Sequence, residues 1–140
     1  MRLSETGVIM KLDYPVVVTK ENNDYIAYVP DLDINSFGKT FDEALDMAYD
    51  AIGSVYMVRE DKKLKIKKPS KINVYQKDKK YNNDIVTHVS IDPVIYMQKN
   101  DNISVRRNVT LPSWLDKIVR KNKINVSEFL QNMLRRELRV

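Results

Sequence analysis

Residues 104–140 read SVRRNVTLPSWLDKIVRKNKINVSEFLQNMLRRELRV, and the pattern of this stretch decides the fold of the carboxyl-terminal part of the chain. Residues 104–111 alternate as in a strand, whose side chains point to opposite sides in turn. One side carries Val105, Arg107, Val109 and Leu111, and the other carries Arg106, Asn108 and Thr110. Pro112 ends the predicted strand, because proline has no backbone N–H to donate.

Two amphipathic helices are predicted after this strand. The first is expected to begin with Ser113 as its N-cap. Its apolar face carries Trp114, Leu115, Ile118 and Val119. After a polar break at residues 121–123, Asn125 and Glu128 form a capping box for the second helix. The apolar stripe of the second helix consists of Val126, Phe129, Leu130, Met133, Leu134 and Leu138.

One strand and two helices in fewer than about 40 residues can neither form a sheet nor bury a sufficient core. Both problems disappear if two chains pair their strands antiparallel and interlock their helices, so residues 103–140 predict a homodimer. A further association of dimers into a higher oligomer stays open. A two-stranded ribbon of this kind fits the DNA major groove. Arg106, Asn108 and Thr110 would then face the bases, since arginine suits guanine, asparagine suits adenine and threonine can contact thymine.

The start of the second predicted helix is a candidate phosphate site. Asn125, Val126 and Ser127 lie there, and free N–H groups at the positive end of a helix bind anions. The whole stretch from VRRNVTLP to NVSEFLQNML resembles the ribbon-helix-helix repressors. Arg107 departs from that family, which usually places an apolar residue on the inward face of the ribbon. The alternative to DNA binding is an interlocked dimerisation domain that touches no nucleic acid.

The net charge of +5 hides a strong segregation of charge along the chain. Residues 1–60 contain 5 Lys or Arg and 11 Asp or Glu, residues 61–102 contain 10 and 5, and residues 103–140 contain 9 and 3. Such segregation favours two partners of opposite charge, although solvated faces are the simpler alternative. Without cysteine, a signal peptide or an apolar run of about 20 residues, we expect a cytoplasmic protein with no membrane contact, found at the nucleoid when bound to DNA.

The amino-terminal part is predicted to form three strands, one long helix and a fourth strand. The strands are predicted at residues 14–19, 25–29 and 34–37 before the helix and at residues 85–91 after it. Thr40 and Glu43 form a capping box, after which apolar residues follow at helical spacing for about 17–19 residues. The lysine-rich residues 62–71 predict a surface connection, with a weak phosphate-contacting role as the alternative.

The segment from Tyr14 to about residue 58 resembles the HicB antitoxins. It has the Tyr-Pro strand, the hairpin, the Pro30-Asp31-Leu32 step and a Gly-x-Thr-x-x-Glu-Ala helix start at Gly38. Residues 85–91 match more loosely. The resemblance implies an α+β fold in which residues 10–92 form a partial ribonuclease-H-like domain of order β-β-β-α-β. A linker over residues 93–102 and the ribbon-helix-helix domain over residues 103–140 would follow.

The same resemblance implies a bacterial protein, an antitoxin of a type II toxin-antitoxin system. Such a protein inhibits a small basic ribonuclease toxin, a HicA-like mRNA interferase, and represses its own operon by binding operator DNA. An acidic surface suits a basic partner. The candidate toxin contacts are Asp31, Asp33, Asp42, Asp46 and Asp50, with ordinary solvated charges as the alternative for each.

Three rival functions differ in class. A stand-alone transcription factor would use its amino-terminal domain to sense a ligand, and a purely oligomerising domain would bind no toxin. A nuclease would need several carboxylates converging on two Mg²⁺ ions, yet residues 14–19 contain none, so no catalysis is expected. His88 is the only histidine and there is no cysteine, so no metal or cofactor is expected.

Overall fold

The computed structural model describes residues 11–140, which form two compact units. We call residues 11–100 the head and residues 101–140 the tail. The predicted domain start at residue 10 lies outside the described residues. Within residues 11–140, no helix is both long and apolar enough to cross a membrane.

The head is built on a four-stranded sheet in which every neighbouring pair is antiparallel. The strands are β1 (Leu12–Glu21), β2 (Asp24–Val29), β3 (Ile34–Gly38) and β4 (Ile85–Ile91), and their order across the sheet is β3-β2-β1-β4. All four predicted strands are confirmed. The central strand β1 extends two residues beyond the prediction at each end.

The predicted long helix is confirmed as α1 (Phe41–Asp61), which covers one face of the sheet. Its N-cap is Thr40, whose hydroxyl accepts from the Glu43 N–H at 3.1 Å, while the Glu43 carboxylate accepts from the Lys39 N–H at 3.3 Å. Gly38 permits the tight turn, because a side-chain carbon there would collide with the Ala44 backbone. The core between α1 and the sheet contains Tyr14, Val16, Val18, Ala27, Val29, Ala44, Ala48, Ile52, Tyr56, Val89 and Ile91.

The reverse face of the sheet is covered by residues 72–81, for which the sequence predicted no element. Val17 alternates with its inward neighbours and so points to this face, yet Val17 and Pro15 are both buried. Helix α2 (Ile72–Gln76) packs against β1 and β4, and a 3-10 turn follows at Lys79–Tyr81. Residues 62–71 are the irregular surface connection that was predicted, leading from α1 to α2.

The predicted linker over residues 93–102 is wrong for most of its length. Residues 93–100 form helix α3 (Pro93–Asn100), because the Asp92 carboxylate caps its start by accepting from the Val94 N–H at 3.0 Å. The buried Tyr96 ring lies against Gly53 of α1, where any side-chain carbon would collide with it. This packing makes α3 part of the head, and the boundary between the units follows Asn100.

The tail contains the two predicted helices, α4 (Ser113–Lys121) and α5 (Val126–Leu138). Ser113 is the first helical residue rather than the N-cap, because the Pro112 carbonyl already accepts from the Asp116 N–H at 3.0 Å. The strand expected at residues 104–111 is not formed within one chain, where residues 101–112 have no regular structure. A strand requires a hydrogen-bonded neighbour, and the described chain offers none to this segment.

Candidate functional surfaces of the head and the tail

The first half of α1 presents an acidic ridge to solvent. Asp42, Asp46 and Asp50 are all exposed, and their spacing of four residues places them along one side of the helix over about 12 Å. The structure therefore brings together three of the five aspartates that the sequence singled out.

A groove of about 380 Å³ lies beside this ridge, between β3 and α1. Phe37 is 62% exposed and Met47 is 46% exposed, and both line the groove together with Asp50. This groove was not predicted from the sequence. A signal was present, because strand alternation places Ser36 inside and Phe37 outside, the reverse of the usual arrangement. An apolar patch edged by a carboxylate is a surface that suits another protein.

Asp31 is not part of this surface, which corrects its candidacy as a toxin contact. Its buried carboxylate accepts from the Ser70 N–H, the Ser70 hydroxyl and the Tyr75 hydroxyl, each at 2.7 Å, and pairs with Lys67 at 3.3 Å. Burial raises the pKa of the Asp31 carboxyl, but the hydrogen bonds from Ser70, Tyr75 and Lys67 outweigh burial and leave that pKa below its usual value. Asp31 therefore fixes the segment after α1 to the turn between β2 and β3.

Asp33 is also held within the β2–β3 turn, although it is exposed. It adopts a left-handed backbone with φ of 51°, and its carboxylate accepts from the Tyr28 hydroxyl at 2.8 Å. This hydrogen bond, with a smaller effect of burial, raises the pKa of Tyr28 to about 12. Neither Asp33 nor Asp31 shares a described contact with the acidic ridge of α1.

The candidate base-contacting residues of the tail are all exposed. Arg106, Asn108 and Thr110 lie in the irregular segment before α4. The apolar residues that alternate with them are exposed as well, since Val105 is 87% and Val109 is 51% accessible. Both sides of the segment are therefore uncovered in the single chain.

The start of α5 provides free amide donors. The Asn125 side-chain oxygen accepts from the Glu128 N–H at 3.1 Å, so the predicted N-cap is confirmed and the Asn125 side-chain NH₂ stays available. Among the described residues, the N–H groups of Val126 and Ser127 have no acceptor. These donors at the positive end of the helix suit a phosphate.

The apolar faces of α4 and α5 are uncovered in the single chain. No residue of the described tail is buried, and Phe129 and Leu134 of α5 are 60% and 50% exposed. Leu115, Val119 and Leu130 are only half-buried. Large apolar side chains aligned on one face and left in water mark a surface that another protein covers.

Among residues 11–140, no three His, Cys, Asp or Glu side chains are grouped so as to hold a metal ion. His88 is an exposed residue of β4.

Comparison with known proteins identifies the class to which this fold belongs. A family model described as a HicB-like antitoxin of bacterial toxin-antitoxin systems matches residues 14–134. This chain therefore belongs to the HicB-like antitoxin family, which confirms the resemblance read from Tyr14 and the segments after it. No curated protein is significantly similar in sequence.

Solved structures share the fold at low sequence identity. The antitoxin HicB of Burkholderia pseudomallei is 22% identical with a TM-score of 0.55, and the match covers 91% of this chain and 97% of that one. A toxin-antitoxin complex from Streptococcus pneumoniae matches at 21% identity and a TM-score of 0.55, over 89% and 97% of the two chains. A HicA3 and HicB3 toxin-antitoxin complex matches at 23% identity and a TM-score of 0.53, and the match covers 59% of this chain and 100% of that one.

Proposed function

We propose that this antitoxin neutralises a small basic ribonuclease of the HicA-like mRNA interferase type, and that two copies of its tail repress its own operon. The observation that carries the proposal is the contrast within the tail. Its helices leave their apolar faces uncovered, while Arg106, Asn108 and Thr110 precede them on an exposed segment. The proposal keeps the head as a partial ribonuclease-H-like fold and the tail as a ribbon-helix-helix domain.

The acidic ridge of α1 and the adjoining groove are the proposed contact surface for the toxin. Asp42, Asp46 and Asp50 would attract a basic protein, and carboxylates at the rim of an interface speed association. Phe37 in the groove would supply an apolar anchor, since aromatic residues carry much of the binding energy at interfaces. Two of the structures with this fold are described as toxin-antitoxin complexes, which supports a toxin as the partner.

Pairing of two tails would complete the DNA-binding surface. Antiparallel pairing of residues 104–111 would satisfy their backbone hydrogen bonds and turn Val105 and Val109 toward the interlocked helices. Arg106, Asn108 and Thr110 would then point into the major groove, and the amides of Val126 and Ser127 would bind flanking phosphates. The charge of +6 on residues 103–140 doubles in the dimer, which attracts a polyanion.

The test of the toxin surface is co-purification with the product of a neighbouring short basic reading frame that arrests growth when expressed alone. Replacing Asp42, Asp46 and Asp50 by asparagine is expected to weaken capture of that toxin by about tenfold or more. The matched control replaces three exposed carboxylates elsewhere in the head, as Glu21→Gln, Asp24→Asn and Asp61→Asn. Equal toxin binding by both triple variants would contradict the assignment. If no neighbouring product arrests growth, a stand-alone transcription factor becomes the better account.

The test of the DNA surface is operator binding by Arg106→Ala or Asn108→Ala. Either change is expected to lower operator affinity by about 1–3 kcal/mol and to relax sequence preference, because one base-edge contact is lost on each half-site. Toxin neutralisation should survive in both variants. Loss of neutralisation together with normal operator binding would contradict the division of labour between head and tail.

A further inference from the structure

The segment that follows α1 is the most densely basic part of the molecule. Residues 62–80 contain nine lysines, and Asp78 is their only carboxylate. All nine lysines are exposed. We name this the lysine surface. The predicted DNA-binding tail, by comparison, contains nine basic residues in the 38 positions of residues 103–140.

The backbone of the lysine surface is fixed at two points in its irregular part, Lys67 and Ser70. The Tyr14 hydroxyl donates to the Lys67 carbonyl at 2.5 Å, and it also lies 2.7 Å from the buried Tyr56 hydroxyl. The buried Asp31 carboxylate then holds Ser70 and Tyr75. These contacts hold the lysines on an ordered surface, so their charges stay concentrated instead of spreading over a flexible tail.

The charge on this surface is largely uncompensated by the described residues. Lys67 pairs with Asp31 at 3.3 Å, and Lys80 lies 5.6 Å from the centre of the Tyr81 ring. For the other seven lysines, no described carboxylate lies within ion-pairing distance. Fixed like charges repel one another, so binding of an external polyanion would stabilise this arrangement.

The lysine surface and the acidic ridge occupy different parts of the head. The ridge lies on the first half of α1. The lysine surface begins after the last residue of α1, where Tyr14 holds Lys67, and continues through α2, which packs against β1 and β4. A basic protein drawn to the ridge would be repelled by the lysines, so the head has a second surface that suits a partner of opposite charge.

We propose that the lysine surface binds the phosphate backbone of duplex DNA flanking the sequence that the tail holds. The part that places this DNA beside an operator rests on the proposed function of the tail. Only residues 101–103 separate the head from the predicted ribbon strand, a span of about 14 Å at most when extended, so DNA bound by the tail is kept near the head.

Duplex DNA fits the lysine surface better than unpaired RNA does. Binding of single strands relies on aromatic rings that stack with bases. Tyr75 and Tyr81 are half-buried, their rings pack edge to face with centres 6.3 Å apart, and the Tyr75 hydroxyl is bound to Asp31. Lysines without free aromatic rings contact phosphates without reading bases, so the head would strengthen binding regardless of sequence.

The experiment compares the full chain with a variant carrying Lys63→Gln, Lys65→Gln, Lys68→Gln and Lys71→Gln, which spares the two lysines that have partners. The matched control removes four lysines elsewhere in the head, as Lys11→Gln, Lys20→Gln, Lys39→Gln and Lys99→Gln. Binding to a 40-base-pair duplex of random sequence is measured from 50 to 300 mM salt, with thermal unfolding confirming that each variant folds. The probe for RNA is a single-stranded oligonucleotide of equal length, and the probe for membranes is a phosphatidylglycerol vesicle.

The expected result is at least a tenfold loss of affinity for the random duplex at 100 mM salt in the lysine-surface variant alone. The slope of log affinity against log salt should fall by about 0.9 for each phosphate contact removed. Unchanged affinity and slope would overturn the proposal, and so would a loss seen only with the RNA or the vesicle. Because the duplex carries no operator, failure of sequence-specific binding by the tail would leave this test intact and would count against the proposed function alone.

Discussion

The head and the tail solve the same problem of covering apolar surface in different ways. In the head, α1 and the sheet enclose Tyr14, Ile52 and Ile91 completely within one chain. In the tail, α4 and α5 bury no residue, although their apolar stripes are as regular as that of α1. The head therefore encloses its core within one chain, whereas the proposed pairing of two tails would make the stability of the tail depend on protein concentration. Regular amphipathic spacing alone does not show whether the apolar face of a helix is covered by its own chain or by a second chain.

The largest effect is expected from a charge placed on the uncovered face of the tail. Leu134→Asp should weaken dimerisation by at least about 3 kcal/mol, more than roughly 100-fold, because the carboxylate would be buried without a partner in the paired tails. Operator binding should be lost with the dimer. Sedimentation velocity and a DNA-binding titration measure the two effects.

Val58→Asp is the matched control for this change. Val58 lies on α1 and is 50% exposed, the same fraction as Leu134 in the single chain. Since the head is complete without a partner, this variant should stay dimeric and stable. If the two variants behaved alike, the contrast between head and tail would be wrong.

A large effect confined to the head is expected from Asp31→Asn. The amide cannot accept all the donors of Ser70 and Tyr75, and Lys67 would lose its partner, so we expect the head to lose about 2–4 kcal/mol of unfolding free energy. Urea unfolding measures this, with the exposed Asp33→Asn as the milder control. Dimerisation of the tail should not change, and a drop in dimer affinity of the same size would show that the units are coupled.

Lowering the pH should remove the difference in unfolding free energy between the Asp31→Asn variant and the native chain. The pKa of Asp31 in the folded head is lowered, so its contribution to stability is complete above the unfolded value of about 3.9 and is lost as pH falls through the folded value. We expect the two unfolding free energies to differ fully at pH 7 and to converge below about pH 4. A gap that stayed constant with pH would argue against a charged Asp31.

The smallest effect is expected from Asn125→Ala at the start of α5. Loss of the hydrogen bond from the Glu128 N–H should cost about 1 kcal/mol of tail stability. If the tail folds as a pair, as proposed, the loss should appear as a dimer dissociation constant raised severalfold. Stability of the head, measured in the same protein, should be unchanged.

The elements that the sequence predicted are those whose signals are local. Thr40 and Glu43 mark the start of α1, and short runs of β-branched or alternating apolar residues between turn residues mark the strands. Helix α2 was not predicted, because five residues are too few to show a helical period. Helix α3 had a usable signal in Asp92-Pro93, a capping residue before a proline at the first helical position, but its polar residues suggested a linker.

Some of the candidate toxin contacts are exposed and one is buried, and no local sequence pattern distinguishes the two groups. Asp31 is buried by Ser70 and Tyr75, which lie 39 and 44 positions away in the sequence. Asp42, Asp46 and Asp50 stay exposed because helical spacing alone keeps them off the apolar face. Burial of a charged side chain by residues that are distant in the sequence is seen only in the three-dimensional structure.

Amide hydrogen exchange of the full chain at two protein concentrations tests the central contrast most directly. We predict that protection in α4 and α5 falls on dilution, because the paired tails separate, while protection in β1 and α1 stays the same. Tail amides that remain equally protected in a demonstrably monomeric chain would contradict the account, since the tail would then be stable without its partner.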